Sequence, residues 1–367
     1  MDPEQLLEAA VRLLAVPSTA ERPDDLRRAL DLVLDLVGPG PTVERFCSDG
    51  RPSALLYVGD RRPETFRVIL NAHLDVVPAA PEQFVPRHDG DRLYARGAQD
   101  MKVSALVLAT VFRELATVLP YPIALQLVTD EEIGGHHGTR HQLEQGVRGD
   151  FVVIGEHSGL ELVVDSKGIT EVSLVARGRG GHGAYPWLGD NALLKLMRSI
   201  DRLMERYPEP AAEVWRTTVN VAHIDTDNTA VNQIPAHARA RLDIRFPADD
   251  VDLTSGGPDE VAGYLRGFCE PGVTVTVHRI DPPHRVDRDR PEVAALRRAA
   301  RREGYPAGFL RKHGAADSRF YSQRGIDAVI FGVGGDGQHG PEEYVDLTTV
   351  DPYHRALRGF LTDLAGT

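Results

Sequence analysis

The chain has 367 residues, of which 42% are hydrophobic and 26% are charged, the composition of an ordinary globular protein. Single hydrophobic cores rarely extend beyond about 250–300 residues, so this length predicts two domains. Acidic residues outnumber basic residues by 54 to 42, and the net charge of −12 argues against a nucleic-acid binder. Because no run approaches about 18 consecutive apolar residues, we expect no membrane span. The two cysteines, Cys47 and Cys269, predict a reducing cytoplasmic location and no disulfide framework.

The N-terminal sequence MDPEQLLEAAVRLLAV predicts an amphipathic helix and lacks the basic and apolar regions of a signal peptide. Short β-branched runs then alternate with helical patterns. The pattern predicts strands at 66–73, 121–132 and 150–157, with helices at 101–119 and 137–146. Such alternation is typical of an α/β domain with a mixed, mostly parallel sheet flanked by helices.

The pattern changes after Lys167, where strands begin to alternate between apolar and polar residues. It predicts strands at 168–179, 217–225, 236–246 and 273–280, and helices at 191–207 and 258–270. This β-α-β-β-α-β order is ferredoxin-like, with one solvated sheet face. A helix at 290–304, a strand at 326–334 and a helix at 348–366 then resume the α/β pattern. We therefore expect an α/β domain formed by residues 1–167 and 281–367, interrupted by an inserted α+β domain at 168–280.

Histidines and carboxylates follow several apolar strand-like runs. Taken singly, each has an ordinary explanation as a helix cap, a surface residue or a packing residue. Ligands bind at the carboxyl ends of the strands in open α/β sheets, so their convergence on one such edge favours a shared site. The pattern predicts a two-metal hydrolase with one carboxylate left over as a base. The residues concerned are His73, Asp75, Asp100, Glu131, Glu132, Glu156 and His339.

Eight strings, read in order, resemble the M20 metallopeptidase family across almost the whole chain. This family includes succinyl-diaminopimelate desuccinylases, acetylornithine deacetylases, aminoacylases, glutamate carboxypeptidases and dipeptidases. The strings are HLDVVP (73–78), ARGAQDMK (95–102), DEEIGG (130–135), GEHS (155–158), GGHGAYP (180–186), NQIP (232–235), HGAADSRF (313–320) and QHGPEEY (338–344).

The resemblance implies roles for these positions in a centre of two divalent ions, usually zinc, with cobalt or manganese as alternatives. One ion would be bound by His73, Asp100 and Glu156. The other would be bound by Asp100, Glu132 and His339, so that Asp100 bridges the two. Asp75 would accept the other ring N–H of His73 and fix its tautomer. Glu131 would be the general base.

The inserted domain resembles the family's lid and dimerisation domain, which implies a homodimer. By this resemblance, His182 stabilises the developing oxyanion, often across the dimer, whereas the residues alone favour a simple turn at GGHGAYP. Asn232 and Arg245 match positions that hold a substrate carboxylate. A solvated strand residue is an equally good interpretation of Arg245.

Three departures from the family's usual strings bear on the substrate. DMKVS replaces DMKGG at Val103 and Ser104, and GEH replaces GEP at His157. GAAD replaces the desuccinylase string GTSD, so Ala315 and Ala316 lack the hydroxyl groups of that branch.

The function that we expect is hydrolysis of the amide bond of a small N-acyl amino acid, as in a deacylase or desuccinylase. A dipeptidase or carboxypeptidase of the same family is the first alternative, and a non-catalytic metal-binding relative is the second alternative. The general base and the ligand positions are intact, which argues against a non-catalytic relative. The acyl group and the amino-acid preference stay open.

Overall fold

The computed structural model describes residues 3–366, which form two compact units. The first unit contains the described residues up to Val164, Arg285–Arg311, and the described residues from Ala316 onward. The second unit contains Asp165–His284 and Lys312–Ala315. The domain boundaries expected from the sequence and the function of the second unit as a lid both stay predictions.

The elements are numbered along the chain. The α-helices are α1 (Pro3–Leu14), α2 (Pro23–Val37), α3 (Val103–Leu115), α4 (Thr139–Glu144), α5 (Ala192–Arg206), α6 (Val251–Thr254), α7 (Pro258–Arg266), α8 (Pro291–Arg302), α9 (Ser318–Ser322) and α10 (Val350–Asp363). The first strands are β1 (Thr42–Ser48), β2 (Arg51–Tyr57), β3 (Val68–His73), β4 (Arg87–Asp89), β5 (Arg92–Tyr94), β6 (Ile123–Val128), β7 (Phe151–Ile154), β8 (Leu162–Ser166), β9 (Gly168–Arg177) and β10 (Gly181–His182). The remaining strands are β11 (Thr218–Asp225), β12 (Gln233–Ile234), β13 (His237–Phe246), β14 (Val273–Asp281), β15 (His284–Arg285), β16 (Phe309–Lys312), β17 (Asp327–Ile330), β18 (Gly335–Asp336) and β19 (Tyr344–Asp346).

The main sheet of the first unit has the strand order β1-β2-β6-β3-β7-β17-β8-β15, and β16 pairs with β8. Its central strands β6, β3, β7 and β17 are parallel. Every residue of β3, β6 and β7 is buried, as expected for continuous apolar runs with helices on both faces. Leu70 of β3 belongs to one hydrophobic cluster and Ile69 to another, because successive side chains point to opposite faces. The predicted fold class is confirmed.

The parallel ladder brings the carboxyl ends of three strands to one edge. His73, the last residue of β3, pairs with Val128, the last residue of β6. Asn71 of β3 pairs with Ile154, the last residue of β7. The polar residues that follow β3, β6 and β7 therefore begin close to one another.

The segment before α3 differs from the expected helix. Ala98–Lys102 forms a π-type turn in which Asp100 and Met101 have non-helical backbone angles. The regular helix begins at Val103 and has no side-chain cap. The carboxylate of Asp100 is therefore not used as a helix cap and is available to the edge of the sheet.

The second unit contains a four-stranded antiparallel sheet in the order β11-β13-β9-β14. Alternate residues of β9, among them Val172 and Leu174, pack with Leu196 of α5 and Val261 of α7 in one core. The expected β-α-β-β-α-β order is observed, with the short helix α6 added before α7. Strands β10 and β12, which belong to the same stretch of the chain, form a separate two-stranded antiparallel sheet. Within residues 3–366, no helix has the length and hydropathy needed to cross a membrane.

Candidate metal centre

Two groups of metal-ligand side chains lie at the carboxyl edge of the main sheet. One contains His73, Asp100 and Glu156, and the other contains Asp100, Glu132 and His339. Within each group the possible ligand atoms all lie within 4.8 Å of one another. The structure thus brings together all five side chains for which the sequence predicted metal binding.

The first group is built on strand ends and is buried. His73 is the last residue of β3, and Glu156 lies two residues after the end of β7. The Nε2 atom of His73 is 3.0 Å from Oδ1 of Asp100 and 3.1 Å from Oε1 of Glu156. One ring nitrogen therefore faces two carboxylates that come from separate segments.

The second group uses the other oxygen of Asp100. The Nε2 atom of His339 lies 3.3 Å from Oδ2 of Asp100 and 3.2 Å from Oε2 of Glu132. Glu132 belongs to the short 3₁₀ turn Glu131–Ile133 that follows β6. Asp100 is shared, with one carboxylate oxygen turned toward each histidine.

Asp75 organises this edge in a way that the sequence did not predict. The Nδ1 atom of His73 is 3.0 Å from the backbone carbonyl of Asp75 and 3.5 Å from its carboxylate. The carboxylate itself accepts hydrogen bonds from the backbone amides of Glu131, at 3.2 Å, and Glu132, at 3.0 Å. Asp75 therefore orients the His73 ring mainly through its backbone, and its side chain fixes the segment that carries the two glutamates.

The electrostatics of both groups favour positive charge. Burial lowers the pKa of His73, but hydrogen bonds to Asp100 and neighbouring carboxylates raise it well above its ordinary value overall. Hydrogen bonds to Asp100 and Glu132 raise the pKa of His339 to about 10. Although burial acts in the opposite direction, the two imidazoles hold the pKa of Asp100 well below its usual range. These directions indicate a strongly negative potential at the edge of the sheet.

Glu131 belongs to neither group. Burial raises the pKa of its carboxyl, and the negative charges of Asp317 and Glu156 raise it further, well above the ordinary value. Glu131 is the neighbour of Glu132 in the turn after β6 and contributes no ligand atom to either group. A carboxylate with a raised pKa is a stronger proton acceptor.

The donor set fits divalent cations. Each group offers one imidazole nitrogen and carboxylate oxygens, which are ligands of zinc and of other first-row divalent ions. His73, Asp100 and Glu156 are buried, so water cannot solvate their charges freely. Buried carboxylates are costly unless they are paired with positive charge or bind a metal. The residues present thus match the two-metal arrangement, with Asp100 common to both positions.

The remaining predicted residues belong to the second unit. His182 is exposed in β10 and pairs with Gln233 of β12, and its Nδ1 accepts a hydrogen bond from the amide of Ala184 at 3.1 Å. Asn232 is also exposed, and its carbonyl accepts a hydrogen bond from Gly183 at 2.7 Å. The Asn232 and His182 segments are therefore neighbours.

Arg245 is half-buried near the end of β13. Its Nε lies 2.7 Å from Oδ1 of Asp243, and one terminal nitrogen donates to the other carboxylate oxygen at 3.0 Å. Since a guanidinium has five N–H donors, Arg245 retains further donors for an anion.

Three residues around the centre were not singled out from the sequence. Gln338 donates from Nε2 to Oδ2 of Asp100 at 2.6 Å. Arg96 and Glu343 form a buried ion pair beside the ligand segments. Arg96 and Glu343 fall inside the ARGAQDMK and QHGPEEY strings. A contact between residues so far apart in the sequence leaves no local pattern from which it could be predicted.

Together, the fold and the centre are of the class of two-metal hydrolases, in which carboxylates and histidines at a sheet edge hold two cations. The chain matches the family described as Peptidase family M20/M25/M40 over residues 69–363, and it belongs to that family. A succinyl-diaminopimelate desuccinylase of Gluconobacter oxydans (strain 621H) is 30% identical over 306 residues, covering 79% of each chain. The prediction of a metal-dependent hydrolase related to M20 peptidases and amidohydrolases is confirmed.

Solved structures share the fold over the full length. A tripeptidase from Staphylococcus aureus subsp. aureus Mu50 superposes with a TM-score of 0.78 at 18% identity, covering 100% of both chains. A dinuclear metal binding peptidase of the M20 family from Bacillus subtilis gives a TM-score of 0.68 at 16% identity, covering 100% of this chain and 98% of that one. At these identities, the similarity concerns the fold.

Removing metal should destabilise the protein. We expect a chelator to lower the melting temperature by about 5 °C, since a ligand that binds only the folded state stabilises it by mass action. The measurement is thermal unfolding followed by circular dichroism, with and without the chelator, and with zinc added back. The Asp100→Ala variant should show almost no chelator effect, because both groups lose their shared ligand. Equal melting temperatures of the wild type in zinc and in chelator would contradict the proposed centre.

Proposed function

We propose that this chain hydrolyses the amide bond of a small N-acyl amino acid that carries a free carboxylate. The observation that carries this proposal is the pair of ligand groups sharing Asp100, with Glu131 close by and outside both. A site that only binds metals needs no additional carboxylate beside its ligands. A two-metal hydrolase does need one, as the acceptor of a proton from water.

We propose zinc as the metal at both positions. His73, Asp100 and Glu156 would hold one ion, and Asp100, Glu132 and His339 the other. Bound there, the two cations would supply Lewis acidity and make water easier to deprotonate. Imidazole with carboxylate oxygens supports zinc, although the same donors accept cobalt or manganese.

Glu131 moves the proton in this proposal. Its carboxylate takes a proton from the attacking water and returns it to the nitrogen that leaves as the amide bond breaks. The Asp75 carboxylate holds the backbone amide of Glu131, and this contact keeps the base in a fixed position relative to Glu132. Positioning of this kind lowers the cost of bringing the base to the water.

Residues of the second unit would hold the substrate. We propose that Arg245 and Asn232 bind its carboxylate and that His182 donates to the oxyanion that develops on the carbonyl oxygen. The bidentate contact of Arg245 with Asp243 fixes the plane of the guanidinium, which supports a role in recognising a planar carboxylate.

The acyl group is the least constrained part of the proposal. The Gluconobacter relative is named for removing a succinyl group, and the shared family supports a related N-acyl substrate. Ala315 and Ala316 lack hydroxyl groups, however, which argues against an identical succinyl pocket. A dipeptidase or carboxypeptidase would use the same metal chemistry and differ only in the residues that contact the substrate.

We also propose a homodimer formed through the second unit, with a cytoplasmic location. Contiguous exposed apolar patches commonly mark contact surfaces, and the rings of Tyr185 and Trp187 are in contact, with centroids 5.8 Å apart. The exposed apolar residues of this unit include Tyr185, Trp187, Leu188, Leu194, Met197, Ile224 and Val231. Cys47 and Cys269 are both free thiols, which supports a reducing compartment.

A substrate panel tests the proposed function. Protein of known metal content would be assayed with N-succinyl amino acids, N-acetyl amino acids and dipeptides, with and without chelator. We expect chelator-sensitive cleavage of an N-acyl amino acid, because the centre requires its cations. Cleavage of dipeptides alone would replace the deacylase with a peptidase. No cleavage at two bound metals per chain would contradict the proposed function.

Glu131 and Glu132 are neighbours with different proposed tasks, so they form a matched pair. Glu131→Ala should reduce kcat by about 10²–10⁴-fold while the metal content is unchanged, because a general base is lost and no ligand is. Glu132→Ala should lower the metal content. The readouts are steady-state kinetics and elemental analysis of the same preparations. Near-normal turnover by Glu131→Ala would remove the residue from the role of base.

Mixing inactive variants tests whether His182 acts across the dimer. Glu131→Ala and His182→Ala would be assayed separately and then after coexpression. If His182 serves the partner's centre, about one quarter of the sites regain both residues, and activity recovers to that level. Coexpressed Glu131→Ala and Glu132→Ala are the control and should stay inactive, since each centre keeps one defect. No recovery in the first mixture would place His182 in its own chain's site.

A further inference from the structure

A buried ion pair connects the two ligand segments that lie outside the main sheet. Arg96 donates from Nη1 to Oε2 of Glu343, and their side chains are only 3% and 1% exposed. Burying two charges is expensive, and a well-packed apolar pair often stabilises a protein equally well. The contacts that each partner makes with the backbone indicate what this pair does beyond adding stability.

The guanidinium of Arg96 holds the segment that carries His339. Its second terminal nitrogen donates to the carbonyl oxygens of His339, at 3.0 Å, and Gly340, at 3.2 Å. His339 has a φ of +59°, a left-handed conformation that non-glycine residues rarely adopt. Such a conformation persists where surrounding contacts determine it, and the Arg96 hydrogen bond to the carbonyl of His339 is one of them.

The carboxylate of Glu343 holds the segment that carries Asp100. Its Oε1 accepts hydrogen bonds from the backbone amides of Gln99, at 3.1 Å, and Asp100, at 3.2 Å. These amides belong to the π-type turn whose irregular backbone directs Asp100 toward both histidines. Glu343 therefore contacts the backbone of the one ligand that both groups share.

A small sheet places the two partners side by side. Strand β19 pairs with β5, so that Tyr344 lies opposite Tyr94, and the ladder continues with a hydrogen bond from the amide of Ala95 to the carbonyl of Glu343. Arg96 directly follows Ala95 in the chain, and Glu343 directly precedes Tyr344. The pair thus joins segments that are 247 positions apart in the sequence.

We propose that Arg96 and Glu343 are positioning residues that set the distance between Asp100 and His339 and thereby the affinity of the second ligand group for its metal. This inference rests on the metal centre proposed above. Apart from its ion pair with Glu343, the Arg96 guanidinium donates to the backbone of the His339 segment, whereas the Glu343 carboxylate contacts the backbone of a ligand common to both groups. Loss of Arg96 should therefore weaken one metal position, and loss of Glu343 should weaken both.

Calorimetric titration of the metal-free protein with zinc tests this inference. Arg96→Met should weaken one of two binding steps by about 10–100-fold, the usual effect of removing a residue that orients a ligand. Arg96→Lys keeps the charge but loses the planar fork, so it should show a smaller shift in the same step. Glu343→Gln should weaken both steps. Visible absorption of the cobalt-loaded proteins gives a second readout, because that spectrum reports the ligand geometry.

Arg290→Met is the matched control. Arg290 likewise pairs with a carboxylate, that of Asp327, and donates to a backbone carbonyl, that of Asp150, but these contacts lie at the amino-terminal ends of β17 and β7, opposite the edge that carries the ligands. It should lower the melting temperature and leave both zinc steps unchanged. If Arg96→Met and Arg96→Lys bind zinc like the wild type, the inference is wrong. It is also wrong if both steps weaken equally in the Arg96 variants. A wild-type protein that binds no zinc would instead show that the proposed centre itself is absent.

Discussion

Asp100, Glu132 and Glu156 place three carboxylates within reach of two imidazoles at the carboxyl edge of the central sheet. Like charges held this close repel one another, and burial of Asp100 and Glu156 removes the water that would screen them. Positive charge placed among them is therefore strongly favoured, as the raised pKa values of His73 and His339 indicate. The rest of the first unit holds this repulsive arrangement together, and a cation is the species that relieves it.

The ligands are held by two different means. Three ligands lie at or just after the ends of parallel strands: His73, Glu132 and Glu156. The hydrogen-bond ladder of the sheet therefore fixes where each of these segments leaves the sheet. Asp100 and His339 come from an irregular turn and a loop, outside the strands of the main sheet. Their placement depends on side chains that hydrogen-bond to the backbone. Within the described residues, the hydrogen bonds that join these two segments include those made by Arg96 and Glu343.

The sequence predicted the parts of the fold that have a clear period or a continuous apolar run. The strands predicted at 66–73, 121–132 and 150–157 are observed as β3, β6 and β7, although β6 ends at Val128 and β7 at Ile154. The alternating strands of the second unit were predicted on the same grounds and are also observed. Helix α2, the β1–β2 hairpin and the small sheet of β4, β5, β18 and β19 were not predicted. The strands of that sheet have two or three residues, too few to show a period. The Arg96–Glu343 contact follows from that sheet, so it could not be predicted either.

Asp75 shows how the neighbourhood of a residue can be expected from the sequence while its individual contacts cannot. Its position two residues after His73 suggested a partner for the ring, and Nδ1 of His73 lies 3.0 Å from the Asp75 carbonyl and 3.5 Å from the Asp75 carboxylate. The sequence could not predict that the backbone carbonyl would take this bond and free the carboxylate for the amides of Glu131 and Glu132. Asp75 thus connects His73 to the segment that carries Glu131, the proposed base, and Glu132, a ligand of the second group. The orientation of the base and the geometry of both ligand groups are therefore coupled, since a shift of the 131–132 segment moves the proton acceptor and one ligand together.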